Sequence, residues 1–308
     1  MTKETLAPIA LFTYNRPWHT RQTVEALLRN AEASDSDLII FSDGAKDEAS
    51  REKVGDVRQY LRTIKGFKSV HIVERKENLG LAKSIISGVT EVVNEYGRAI
   101  VLEDDLVTSP YFLRYMNDAL DAYQDDDRVI SIHGYCYPIE ELPETFFQKG
   151  ADCLGWATWK RGWDLFEPDG SKLLAELTQR NLLHRFDFFG AYDFSGMLRG
   201  QTMGKNQSWA VRWYASALLN NKLTLYPGQT LVQHMGSDGS GTHCGDDGGM
   251  GLFDAPVSER PVHIGDLSVE EDRDALMAVS RFLKLSSPGF AARVRNKAKR
   301  IVRGLASR

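Results

Sequence analysis

The sequence predicts an α/β fold, with a mostly parallel central sheet covered by helices on both faces. Three observations carry this. Short apolar runs rich in Ile, Val and Leu recur at intervals of about 30 residues, the spacing of strand–helix units. Amphipathic helical patterns fill the intervals between them. The runs are four to six residues long and flanked by polar or glycine-containing stretches, as the strands of a mostly parallel sheet covered on both faces are.

The strands read as "IALFTY" (9–14), "LIIFSD" (38–43), "SVHIVE" (69–74) and "AIVLED" (99–104), with helices expected over 17–32, 48–64 and 80–96 between them. In the first helix Val24, Leu27 and Leu28 share one face. A helix over 110–124 follows, Pro110 suiting its first turn, and "VISIHG" (129–134) adds a strand. Past residue 150 the character changes, and five of the six tryptophans lie there. "SWAVRWYASALLNN" (208–221) predicts a helix, "LTLYPGQTLVQH" reads as strand, and the glycine-rich stretch 235–251 reads as a mobile loop. A helix over 268–285 leads to Pro288-Gly289 and a basic tail. The expected division is 1–125, 126–265 and 266–308.

A chain of 308 residues with 42% apolar content can bury a large core. No run approaches the roughly 20 apolar residues of a membrane span. "MTKETLAPIALFTYNRP" has no small-residue cleavage site, so its apolar run reads as the first strand rather than a leader. Three scattered cysteines, Cys136, Cys153 and Cys244, form no CxxC and no even set, which points to a reducing, cytoplasmic setting. The net charge is −4, yet residues 290–308 hold seven Lys or Arg and no acid. The main body is therefore acidic and unsuited to nucleic acid. Phe290, Val294, Ile301, Val302 and Leu305 interleave the tail's cations, so as a helix it suits an anionic membrane surface, here the inner face of the cytoplasmic membrane. A solvated terminus is the plainer alternative.

In an open parallel sheet ligands bind at the carboxyl ends of the strands. Strand one ends in Thr13-Tyr14-Asn15-Arg16-Pro17 and strand two in Ser42-Asp43-Gly44. Strand three leads through Arg75 into Asn78, Gly80 and Lys83, and strand four ends in Glu103-Asp104-Asp105. Each piece alone also reads as a cap, turn or surface ion pair. Together they suit a phosphorylated ligand with Mn²⁺ or Mg²⁺, ions held by one or two carboxylates plus phosphate oxygens. No GxGxxG follows strand one, and no P-loop, Gly-x-Ser-x-Gly elbow or kinase signature occurs.

"LFTYNRP", "FSDGAKDE", "ENLGLAKSI" and "VLEDDLVTSPYFLRYMNDAL" resemble the nucleotide-sugar half of glycosyltransferases with the Rossmann-like GT-A fold. "LGWATWKRGWD", "SWAVRWYASALLNN" and "YPGQTLVQHMG" resemble a bacterial branch similar to the Golgi N-acetylglucosaminyltransferase I family. The resemblance implies that 1–125 binds the nucleotide sugar, that 126–265 serves the acceptor, and that 266–308 adds C-terminal helices and the tail. It implies Asp105 as the metal ligand, with Glu103 and Asp104 at the donor's sugar or ribose and at metal-bound water. Asp43 would accept a hydrogen bond from the base. Thr13, Tyr14 and Arg16 would line the nucleotide, with Arg75, Asn78 and Lys83 near the base, ribose or diphosphate. The implied reaction moves a sugar, UDP-linked by expectation, to a glycan or lipid-linked acceptor in surface polysaccharide or lipopolysaccharide synthesis.

The general base departs from the pattern. In the inverting relatives an Asp stands two residues before the tryptophan that is Trp209 here, and this chain has Gln207 there. A carboxamide takes no proton at neutral pH. One explanation is that another carboxylate, Asp238 or Asp193, serves as base. A shifted alignment, a retaining mechanism and an inactive nucleotide-sugar-binding relative stay open, as does a nucleotidyltransferase, though "TYNRPWHT" lacks the glycine-rich loop that reaction needs. His234 and His243 are candidate late metal or phosphate contacts, a structural role being favoured for His234 at its strand end. Of the tryptophans, Trp156 is expected in the acceptor cleft with Trp209 nearby, the rest in the core.

Overall fold

The computed structural model describes residues 5–236 and 255–286. Four parallel strands open the fold: β1 (Ile9–Thr13), β2 (Asp37–Ser42), β3 (Ser69–Glu74) and β4 (Arg98–Glu103). Helices α1 (Pro17–Leu27), α2 (Glu48–Leu61) and α3 (Leu81–Tyr96) join them. All of β1 is buried, and Leu11 lies in register with Ile40 on one side and Leu102 on the other. Alternate residues of these strands feed two cores: Ile9, Leu11 and Ile40 on one face, Ala10, Phe12 and Phe41 on the other. α3 comes close to the second face because Gly88 has no side chain; a Cβ there would lie 2.6 Å from the Phe12 ring.

After β4 come the short β5 (Leu106–Thr108), α4 (Phe112–Ala122), β6 (Val129–His133), β7 (Thr145–Lys149) and β8 (Trp156–Trp159). Helices α5 (Lys160–Trp163), α6 (Gly170–Gln179), α7 (Leu183–Phe186), α8 (Phe194–Thr202) and α9 (Ala210–Leu219) follow, then β9 (Leu223–Pro227), β10 (Val232–His234) and α10 (Arg273–Ser286). The sheet runs β3-β2-β1-β4-β8-β6-β9-β7. β8 and β7 are antiparallel to their neighbours, and the other six strands share one direction. This is the expected mixed, mostly parallel GT-A sheet. α9 is buried on all sides, Trp213 and Ala217 in the core beneath the sheet, Val211, Tyr214 and Leu218 in a third core shared with α6 to α8 and α10.

Several boundaries differ from expectation. The first helix ends at Leu27, because the buried Asn30 turns back to donate to Ala26 O and accepts from Leu113 N at 2.9 Å. "LTLYPGQTLVQH" is two strands in different sheets, parted at Gly228, where a Cβ would lie 1.9 Å from Pro143 O. The last helix starts at Arg273, where the Asp272 carboxylate accepts from Ala275 N. The glycine-rich stretch and the basic tail lie outside the described residues, apart from Met235 and Gly236. Among the described residues no helix is long and apolar enough to cross a membrane.

Candidate active site

The acid run at the end of β4 forms a clamp with Arg16. The Arg16 guanidinium pairs with Asp104 and lies 2.9 Å from Asp105 Oδ2. Asp104 also accepts from Tyr14 N at 3.3 Å, and its backbone carbonyl accepts from Thr23 Oγ1 at 2.9 Å. The side chains of Asp104 and Asp105 are almost fully buried. Burial opposes the Arg16 charge, yet Asp104 and Asp105 outweigh it and raise its pKa. Burial also works to raise Asp105, but the His234 hydrogen bond and Arg16 hold it down at about 2. For Glu103 burial and then repulsion from Asp105 and Asp104 prevail and push it up to about 8, against the lowering effects of Arg16 and of a hydrogen bond from Trp209.

The ribbon of β10 and β5 brings His234 to this cluster. Val232, Gln233 and His234 pair with Thr108, Val107 and Leu106, and Met235 N donates to Asp105 O at 2.8 Å. His234 Nε2 then lies 3.2 Å from Asp105 Oδ2. Gly236 completes the cradle: a Cβ there would sit 2.4 Å from Asp105 Oδ2 and 2.7 Å from His234 Nε2. The sequence offered His234 as a possible metal or phosphate contact but favoured a structural role, on its position at a strand end two residues before a glycine.

Asp43 is bound into the loop that leads to α3. Its Oδ1 accepts from Gly44 N (3.0 Å) and Leu79 N (2.9 Å), its Oδ2 from Asn78 Nδ2 (3.0 Å) and Gly80 N (2.9 Å). With four donors on its two oxygens, Asp43 braces the loop before α3. Arg58 of α2, missed in the sequence, ties the same strand ends, donating to Arg75 O at 2.6 Å and Asp43 O at 3.2 Å. Asp43→Ala should lower the unfolding free energy in urea by about 3 kcal/mol, since it strands buried donors.

Thr13 and Tyr14 remain beside the acids, Thr13 buried and Tyr14 Oη accepting from Lys46 N at 3.2 Å. Arg75 and Lys83 do not converge on them. Arg75 lies over the Phe41 ring and near Ser87 and Glu91, and Lys83 shares a shallow groove on that flank of α3. Gln207 is exposed, with Oε1 3.9 Å from where a Gly80 Cβ would lie. Asp193 caps α8, accepting from Gly196 N at 2.9 Å. Asp238 and His243 fall outside the described residues.

The expectation for Trp156 is corrected. It is 1% exposed, with ring centroids 5.6 Å from Trp163 and Trp209 and 5.9 Å from Trp213. Trp209 is buried too. Neither offers a ring face to an acceptor, because four indoles from three elements fill the space between sheet and α9.

A family model described as Glycosyl transferase family 2 matches residues 9–195, more than half of the chain. The chain belongs to glycosyl transferase family 2. Family 2 implies a nucleotide-sugar glycosyltransferase, and the matched span holds Arg16, Asp43 and the Glu103–Asp105 run. His234 and Gln207 come from beyond it. The match reaches the family and not the N-acetylglucosaminyltransferase I-like branch, and no curated protein matches the chain.

Members of family 2 commonly use a divalent ion, and the donor chemistry here fits one in part. A carboxylate and an imidazole meet in a cradle kept open by Gly236. Among the described residues no three Asp, Glu, His or Cys side chains form a complete metal site. An ion at this rim would need phosphate oxygens to fill its shell, as Mg²⁺ sites commonly do.

Further along the sheet edge, His133 is fully buried, and burial lowers its pKa against the opposing charge of Asp152. The unfolded chain then binds the extra proton, so stability should fall as pH drops below about 6.5, by up to roughly 1.4 kcal/mol per pH unit. Urea unfolding at pH 7.5 and 5.5 should show a steeper loss in wild type than in His133→Gln.

Proposed function

We propose that the chain transfers a sugar, with inversion, from a UDP-linked donor to a glycan or lipid-linked acceptor in surface polysaccharide or lipopolysaccharide assembly, with the help of Mn²⁺ or Mg²⁺. The observation that supports it most is the clamp, in which Asp105 is held ionised between Arg16 and His234 at the carboxyl end of β4. Asp105, with His234 beside it, would hold the ion, and the ion when bound would neutralise the departing diphosphate. Arg16 fixes the carboxylates before the donor arrives, so no side chain must be ordered then. Glu103 and Asp104 would face the donor's ribose and sugar. Thr13 and Tyr14 would line the nucleotide, with Asn78 and the loop braced by Asp43 closing its base side. Arg75 and Lys83 would need to turn from the α3 flank to reach the diphosphate. The basic tail at 290–308 is the part proposed to meet an anionic membrane.

The test is thermal unfolding of the full chain with UDP, GDP, CDP or dTDP, each with Mn²⁺ and with chelator. A ligand at about 100 times its Kd stabilises the fold by roughly 2.7 kcal/mol. UDP should raise the melting temperature with Mn²⁺ only. A shift from another nucleotide alone overturns the UDP assignment, a metal-independent shift overturns the ion, and no shift at all overturns the donor site.

A further inference from the structure

A second group of titratable side chains sits on the same rim. β8 lies between β4 and β6, and its first residue, Trp156, pairs with Val101 on one side and His133 on the other. The segment entering β8 therefore crosses the sheet edge between the carboxyl ends of β4 and β6. It carries Asp152 and Cys153. Asp152 thus enters the rim beside the end of β4, where the Glu103–Asp105 run begins, and beside His133 at the end of β6.

Asp152 is fixed at one oxygen and open at the other. Oδ1 accepts from Cys153 N at 2.8 Å, and its side chain is 41% exposed. Oδ2 lies 3.7 Å from Nε2 of His133. His133 is fully buried, and neither of its ring nitrogens has a hydrogen-bond partner. A buried imidazole normally finds partners, and an unsatisfied one is costly unless it serves the site. Its neighbours are the rings of Tyr135 and Tyr226 and this one carboxylate.

We propose that Asp152 is the proton acceptor for the hydroxyl of the acceptor substrate and that His133 is a positioning residue behind it. This rests on the glycosyl-transfer reading above and supplies the base that Gln207 cannot be. The acceptor hydroxyl oxygen forms the new bond to the donor's C1. The bond from C1 to the diphosphate oxygen breaks, and its electron pair leaves with the diphosphate. The hydroxyl proton passes to Oδ2 of Asp152, which later releases it to solvent through its exposed edge. His133 steadies the carboxylate by giving or accepting a hydrogen bond at Nε2 as the proton arrives.

The test measures hydrolysis of UDP-glucose, UDP-galactose and UDP-N-acetylglucosamine, with water as acceptor, beside the UDP–Mn²⁺ thermal shift. It uses full-length wild type, Asp152→Asn, His133→Phe and His133→Gln. Asp152→Asn should keep the UDP shift and lose about 10²–10⁴-fold in kcat, the range for a general base. His133→Phe should lower kcat at unchanged donor KM, and His133→Gln should recover part of the loss. Turnover of Asp152→Asn close to wild type overturns the proposal. Loss of the UDP shift together with turnover overturns it too, since Asp152 would then serve donor binding. Equal, unrescued losses in both His133 variants remove the positioning role. Absence of a UDP shift in wild type is a separate result: it brings down the donor reading, and the base with it.

Discussion

Replacing Asp105 with alanine is expected to abolish the metal-dependent nucleotide shift and to lower sugar transfer on the order of 10³-fold, the loss of several kcal/mol of charge stabilisation at the leaving diphosphate. The stability change should be smaller. Asp105 is held at about 2 in the fold, against an ordinary carboxyl value of 3.8, by His234 and Arg16, a difference near 2 kcal/mol at neutral pH. That contribution is present above the unfolded value and is lost as pH falls toward 2, so wild type and variant should converge in acid. Arg16 does not become an orphan in the variant, because it keeps Asp104. Asp105→Asn sharpens the test, since it keeps the shape of the cradle against Gly236 and removes only the charge. Calorimetric titration of UDP with and without Mn²⁺ measures the binding part. If Asp105→Asn still binds UDP with Mn²⁺ as wild type does, the ion is held elsewhere.

The first half of the fold was legible because its information is local. β1, β2 and β4 are unbroken apolar runs, buried nearly throughout, and each ends abruptly on the polar residues of the rim. The helices between them show their buried faces in their spacing, as Ile85, Val89, Val92 and Val93 do in α3. The second half depends on pairings between distant residues. β7 and β8 have five and four residues, and their partners are β9, β4 and β6, so no short window could mark them as strands of one sheet. The same holds at the site. The acid run was visible as three consecutive carboxylates, but its partner His234 arrives through a ribbon joining residues 106–108 to 232–234. Asp43 stood out at a strand end, but its brace on residues 78–80 depends on a loop path that no local window shows. Asp152 gave no signal at all, being one acid in "GADCLGW" until β8 is threaded between β4 and β6.

The largest effect on stability is expected at Trp156. Alanine there should cost about 3–5 kcal/mol, the range for deleting a buried aromatic side chain. The four indoles pack with centroids 5.3–5.9 Å apart, and the cavity would open between β8 and α9, two elements that cannot close it without moving the sheet or the helix. A tryptophan lining an acceptor cleft would behave otherwise: its loss would raise the acceptor KM and leave the unfolding midpoint in urea nearly unchanged. Trp156→Phe separates shape from chemistry, because phenylalanine keeps an aromatic ring yet under-fills the space, so it should still destabilise. Trp209 adds a check of its own. Its side chain hydrogen-bonds Glu103, so Trp209→Phe removes a core indole and a restraint on the acid clamp together, and should disturb donor binding as well as stability. Trp156 has no such link, so its alanine variant, measured cold enough to remain folded, should bind UDP as wild type does. Weak acceptor saturation with an unchanged urea midpoint would return Trp156 to the cleft and undo this assignment.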